Sequence, residues 1–218
     1  MTTPRIQREL LKEQREQQKK KTAITILMVI GVVALALVLL YFIPRRKADG
    51  PSVGNPEAPV KVDQFSNFTC SHCQNFALEA ESDFVKDYVD TGKVYLTYYN
   101  YQFQEDASSQ AAEATHCAGE QNKFWEYKKL VFQNVRFAGG FADESLSNYA
   151  KDLGLDLNQF EACLQSDRQL KVINDGRQYG QVLGVNATPT FAVNGKLFYS
   201  NELREAVEAA LANREISR

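Results

Sequence analysis

The chain has 218 residues, 44% of them apolar and 11% aromatic, with a formal net charge of −2. That is enough apolar matter for one substantial core, so one globular domain is expected. Residues 1–47 carry ten Lys/Arg against three Glu, leaving 25 − 10 = 15 basic and 27 − 3 = 24 acidic residues beyond, and an acidic domain without a basic, aromatic-rich patch excludes a nucleic-acid partner.

Residues 1–21 are a basic, polar segment that cannot build a core. Thr22 to Ile43 is an uncharged run of 22 residues before Pro44, and about 33 Å of helix would cross a bilayer. The spacing therefore predicts one transmembrane helix. A cleaved secretory signal would have a shorter apolar part, and Arg46, Lys47 and Ala48 make a poor cleavage site. Seven basic residues precede the run and three follow it, which places the N-terminus in the cytoplasm and the C-terminal domain outside, on a single-pass anchor in the cell membrane. Residues 44–59, with Pro44, Pro51, Pro56 and Pro59, read as an extended linker to a domain over 60–218.

Val60, Val62 and Gln64 alternate with Lys61, Asp63 and Phe65 in a first strand, and Val94 to Tyr101 is a second. A helix over Phe76 to Val89 lies between them. From about 105 to 183 the pattern turns helical, with apolar residues at three and four spacing in Ala107–Ala118, Lys123–Gln133, Asp143–Leu153, Leu157–Leu164 and Arg168–Leu183. Asp143 reads as a cap and Gly154 as a helix stop. Thr190–Val193 and Lys196–Tyr199 flank Asn194-Gly195, a strong hairpin signal. A helix over Asn201–Ala212 closes the order strand, helix, strand, helical insert, hairpin, helix. This is the order of a thioredoxin fold, an α/β class, with an inserted helical domain.

Cys70, Ser71, His72 and Cys73 stand where the first strand gives way to the helix. Unpaired N–H groups and the helix dipole at such a start favour a thiolate, making Cys70 the candidate nucleophile, with His72 adding to the effect if protonated. Cys73, one turn on, can attack a mixed disulfide on Cys70. The competing reading of a CxxC, half of a zinc site, lacks a second close pair, since only His72, His116, Cys117 and Cys163 remain as ligands. No metal and no cofactor are expected. Beyond the anchor the oxidising side of the membrane permits disulfides, and Cys117 and Cys163 are left for each other as a structural bridge, a second redox pair being the alternative. Pro189 is the only proline after Pro59. A cis peptide after Thr188 would free that residue's backbone to pair with an extended substrate near the thiols. His116 reads as a surface or boundary residue, and the stripe Phe124, Trp125, Tyr127, Leu130, Val131, Phe132 as mostly core with some groove lining.

The segments VGNPEAPVKVDQF, FTCSHC, CAGEQNKFWEYKKLVF, FEACLQS and GVNATPTFAVNG, which span most of residues 53–200, resemble the DsbA-like, membrane-anchored thioredoxin-fold oxidoreductases of bacteria. The resemblance implies Cys70 as attacking thiol, Cys73 as its partner, Thr188 and cis-Pro189 facing them, and a structural Cys117–Cys163 disulfide. It departs at Gln64, where the family often carries an acid that moves protons at the buried thiol, and at Asn67, which replaces a common Asp. Asp63 points to the other strand face and is no obvious substitute. The function expected is an oxidase that donates the Cys70–Cys73 disulfide to reduced secreted proteins, itself reoxidised by a membrane quinone-linked partner of the DsbB or VKOR type. A reductase or isomerase would share these residues. A redox-inert, membrane-tethered peptide-binding or chaperone module would not need both cysteines.

Overall fold

The computed structural model describes residues 18, 25–35, 47–102, 108–135 and 140–212. Residues 25–35 are helical (α1), and its Ile26, Leu27, Met28, Val29, Ile30, Val32, Val33 and Leu35 side chains are exposed. The rest of the expected transmembrane run, and the basic segment but for Gln18, lie outside the described residues. Among the described residues no helix is long and apolar enough to cross a membrane.

From Lys47 onward the chain is a second compact unit built on a five-stranded sheet in the order β1-β3-β2-β4-β5. The strands are β1 (Ser52–Val53), β2 (Val60–Ser66), β3 (Val94–Asn100), β4 (Thr190–Val193) and β5 (Lys196–Tyr199). β2 and β3 are parallel, as they must be when a helix crosses between them, and β4 and β5 add antiparallel. Asn194 and Gly195 both take positive φ, 46° and 85°, as the tight turn requires, and Asn194 Oδ1 also accepts the Lys61 N–H at 2.9 Å.

Helix α2 links β2 to β3 as four consecutive stretches, Ser71–Asn75, Phe76–Ala80, Glu81–Phe84 and Val85–Val89, the second and fourth widened into π turns. Helices α3 (Ser108–Gly119), α4 (Phe124–Asn134), α5 (Asp143–Asp152), α6 (Leu157–Leu164) and α7 (Leu170–Leu183) form the insert, and α8 (Leu203–Leu211) closes the chain. Asp143 does not cap α5. Ala142 holds that place, and the side-chain cap forms at α6, where Asp156 Oδ1 accepts the Gln159 N–H at 3.0 Å.

Strand alternation sorts the core into two sheet faces. Val60, Val62, Val94 and Leu96 pack with Phe76 and Phe84 of α2 and Leu203 and Val207 of α8. On the other face Phe65, Tyr99 and Tyr101 meet α7. That helix comes close because of Gly176 and Gly180, where an added Cβ would lie 2.8 Å from the Tyr99 ring and 2.5 Å from the Tyr101 ring. A third core fills the insert around Tyr127, Phe132, Leu146 and Phe160, and there Cys117 and Cys163 are disulfide-bonded, Cα to Cα 5.7 Å.

The segment read as a linker is extended but not free. β1 pairs antiparallel with β3, the Ser52 hydroxyl donates to Thr97 Oγ1 at 2.9 Å, and Lys47 Nζ lies 2.5 Å from the Asp63 carboxylate. His116 also differs from expectation. It is buried, 5.3 Å from the Phe124 ring, with Nε2 3.2 Å from Asn100 Oδ1, and burial lowers its pKa to about 4, so it is neutral at pH 7. In the aromatic stripe Phe124, Tyr127, Val131 and Phe132 are core, while Trp125 is only half-buried.

Candidate active site: a dithiol at a helix start

Cys70 occupies the N-cap of α2, with extended backbone (φ −86°, ψ 119°). Its side chain forms no capping hydrogen bond, yet the sulfur sits at the helix start, where the first amides have no helical acceptor, and those of His72 and Cys73 act on it. The turn is fixed by Asn67. Its carbonyl accepts the Cys70 N–H at 3.1 Å, its Oδ1 accepts the Thr69 N–H at 3.0 Å and the Ser108 hydroxyl at 2.8 Å, and its own N–H donates to Cys73 Sγ at 3.4 Å. A neutral Asn does all of this, so the departure from Asp leaves the scaffold intact.

The two sulfurs differ sharply. Both are free thiols, Cys70 half-buried and Cys73 buried. Hydrogen bonding from Cys73 lowers the Cys70 pKa to about 5 against the opposing effect of burial, helped by the Thr188 side chain and the amides of Cys73 and His72. Burial pushes Cys73 far above the ordinary thiol range, and its hydrogen bond to Cys70 adds to that. One sulfur is thus ionised at pH 7 and poised to attack or be attacked, while its neighbour stays protonated. The His72 side chain is exposed, and its backbone amide is the part that acts on Cys70.

Across from the helix start the Thr188–Pro189 peptide is cis, Pro189 is buried, and the Thr188 carbonyl oxygen lies 3.2 Å from Cys70 Sγ. The structure therefore brings Cys70, Cys73, Thr188 and Pro189 to one place. Cys117 and Cys163 lie elsewhere, bonded to each other inside the insert. Among the described residues no cluster of His, Cys, Asp or Glu could hold a metal ion.

Gln64 is fully buried on the face of β2 that meets α2, and Asp63 is on the opposite face, bonded to the Tyr179 hydroxyl at 2.9 Å and to Lys47. Three neighbours of the dithiol were not singled out from sequence. Ser66 continues the Gln64 face, and Tyr98 lies opposite Gln64 in the β2–β3 register. Next to Tyr98 is a buried ion pair, Lys128 Nζ to Glu81 Oε1 at 2.5 Å, with Nζ 4.7 Å from the Tyr98 ring and 4.5 Å from that of Trp125. Period-two alternation marks Ser66, but Tyr98 and Lys128 need the strand register and the packing of α4 on α2.

Comparison with known proteins agrees with this geometry. The family model described as Thioredoxin matches residues 46–213. The probable disulfide bond formation protein D of Bacillus anthracis is 26% identical over 215 residues, covering 90% of this chain and 99% of the relative. Among solved structures, DsbA of Chlamydia trachomatis superposes with a TM-score of 0.69 at 24% identity, over 80% of this chain and 97% of that one. BdbD of Bacillus subtilis superposes with a TM-score of 0.68 at 23% identity, over 75% and 93%. The chain belongs to the thioredoxin family, as a DsbA-like thiol-disulfide oxidoreductase.

Proposed function

We propose that the chain is a membrane-anchored oxidase working outside the cytoplasm, which passes the Cys70–Cys73 disulfide to reduced secreted or membrane proteins. The observation that carries this reading is the Cys70 sulfur, held with a pKa of about 5. A dithiol whose reduced form is stabilised by an ionised sulfur has a strongly oxidising disulfide. In the reaction a client thiolate attacks Cys70 Sγ, the Cys70–Cys73 bond breaks, and Cys73 leaves with the electron pair and takes up a proton. A second client thiolate then attacks the client sulfur, releasing the client disulfide and the Cys70 thiolate. Two electrons pass from client to enzyme. A membrane quinone-linked reoxidase of the DsbB or VKOR type would remove them.

The anchor rests on the uncharged run of 22 residues and on α1, whose apolar side chains are exposed on all sides, a pattern that suits lipid. The outward orientation rests on the basic residues before that run, and a disulfide in the insert fits an oxidising compartment. The relative from Bacillus anthracis is named a probable disulfide bond formation protein D, and formation of disulfides in clients is what an oxidising dithiol would do.

Two measurements test the reading. Cys73→Ala in cells should accumulate mixed disulfides through Cys70, and a protein that traps nothing would be a binder. The Cys70–Cys73 couple, equilibrated with glutathione, should lie toward about −120 mV, whereas a value near about −270 mV would assign a reductase.

A further inference from the structure

Among the described residues the groups that act on the buried Cys73 sulfur are Cys70, Ser66 and the Asn67 amide, none of them a carboxylic acid, yet negative charge must appear on it whenever the Cys70–Cys73 bond breaks or forms. β2 and β3 pair in parallel with Gln64 opposite Tyr98 and Ser66 opposite Asn100. These four side chains share the sheet face that meets α2, and all are at most 2% exposed. Among the described residues, Gln64 Oε1 and Nε2, Ser66 Oγ, Tyr98 OH and Asn100 Nδ2 make no well-formed hydrogen bond. Each such group costs about 1–3 kcal/mol to bury unpaired, and apolar side chains would be cheaper there. A run of them directly behind a reactive dithiol therefore calls for a reason beyond packing.

We propose that the Ser66 hydroxyl, oriented by the Tyr98 phenol, is the hydrogen-bond donor that carries the charge on Cys73 during exchange, in place of a carboxylic acid. Ser66 precedes Asn67, whose N–H meets Cys73 Sγ at 3.4 Å, and on the shared sheet face it sits one register step from Tyr98. Burial raises the pKa of both Cys73 and Tyr98, and the Ser66 hydroxyl pulls both back by interacting with their ionised forms. As a client thiolate bonds to Cys70 Sγ, Cys73 Sγ departs with the electron pair and Ser66 O–H donates to it. The Tyr98 O–H donates to Ser66 Oγ and keeps that hydrogen aimed at sulfur. No proton is lost from either residue, and the one that finally settles on Cys73 comes from solvent. In the reverse direction Cys73 loses its proton to solvent, Ser66 donates to the resulting thiolate, and the thiolate displaces the client from Cys70. The titratable and charged groups around this pair are Cys70 on α2, the Glu81–Lys128 pair of α2 and α4 beside Tyr98, and neutral His116 of α3 behind Asn100. Tyr98 is a positioning residue in this scheme.

The assignment rests on the dithiol being an exchange centre and not on the direction in which it runs. The test loads Cys70 with glutathione and follows its release by Cys73 in a single turnover across pH. Ser66→Ala should slow release roughly tenfold at pH 7 and displace the rate profile upward by about one pH unit, a factor of ten being one unit. Ser66→Thr should restore most of the rate, Tyr98→Phe should shift the profile the same way by less, and the pH profile of Cys70 alkylation should stay in place. A native profile in Ser66→Ala, or a Thr variant as slow as the Ala one, overturns the proposal. Should Ser66→Ala not fold, Tyr98→Phe decides alone, an unshifted profile overturning it. A reducing potential would sink the oxidase reading while leaving these profiles untouched.

Discussion

Acidification should take away a defined part of the stability of the reduced protein and none of the oxidised protein's share that comes from Cys70. In the reduced form the Cys70 pKa is about 5 against an ordinary 9.0. A depressed pKa means that the folded state releases the proton more readily than the unfolded chain. The resulting stabilisation is fully present above pH 9 and is lost as pH falls through about 5. Between pH 7 and pH 4 the unscreened loss is two units at 1.36 kcal/mol, about 2.7 kcal/mol. Cys70 is only half-buried, and solvent screening brings this to about 1.4 kcal/mol, or about 30 mV in the potential of the couple. The assay is urea unfolding of reduced and oxidised protein at pH 7, 6, 5 and 4, taking the difference between the two forms at each pH so that all other titrating groups cancel. The reduced form should lose ground to the oxidised form steadily from pH 7 and level off as the pH passes below about 5, the midpoint of Cys70 protonation. Thiolate absorbance of the reduced protein should fall with the same midpoint. A pH-independent difference, or a midpoint near 9, would refute the claim that Cys73, Thr188 and the helix-start amides hold an anion.

Opening the Cys117–Cys163 bridge with Cys117→Ala/Cys163→Ala removes a closure between residues 46 apart and should cost about 4 kcal/mol on the chain-entropy model, read as a lower urea midpoint. If the bridge is structural, the folded variant keeps exchange at Cys70, and loss of exchange would instead identify a relay. Lys128→Met strands the Glu81 carboxylate beside Tyr98 and should destabilise by about 3–5 kcal/mol, whereas Lys128→Met/Glu81→Gln should recover most of that. A double variant as unstable as the single one would show that the lysine contributes through packing on Tyr98 and Trp125 rather than through its charge.

The hairpin was legible because Asn194 and Gly195 supply the positive φ that the turn demands, and the insert because its helices repeat apolar residues at their own period. The dithiol and Pro189 were legible because a CxxC at a strand-to-helix junction and a lone proline before a hairpin are local patterns. What stayed hidden depends on pairing. β1 is two residues long amid prolines and glycines, with no periodicity to read, and exists because β3 offers it an edge. His116 is buried because its helix is lined by Ala111, Ala112, Ala114 and Ala118, which let neighbours close around it, and alanine at those positions carries little directional signal. Ser66 and Tyr98 meet only once the two central strands are in register.

Proteins that handle unfolded chains face a hazard from their own sheets, since a bare outer strand would zip onto any extended visitor. Here the middle of the rim formed by β3, at Leu96 and Thr97, is covered by the short antiparallel β1, with Lys47 and Ser52 fastening the cover to Asp63 and Thr97. The opposite rim, β5, is four residues long and begins with a lysine. Loosening the cover, for instance by a proline at Val53, would bare the β3 edge at Leu96 and Thr97 for unsolicited pairing, and clumping with its own clients would be the cost.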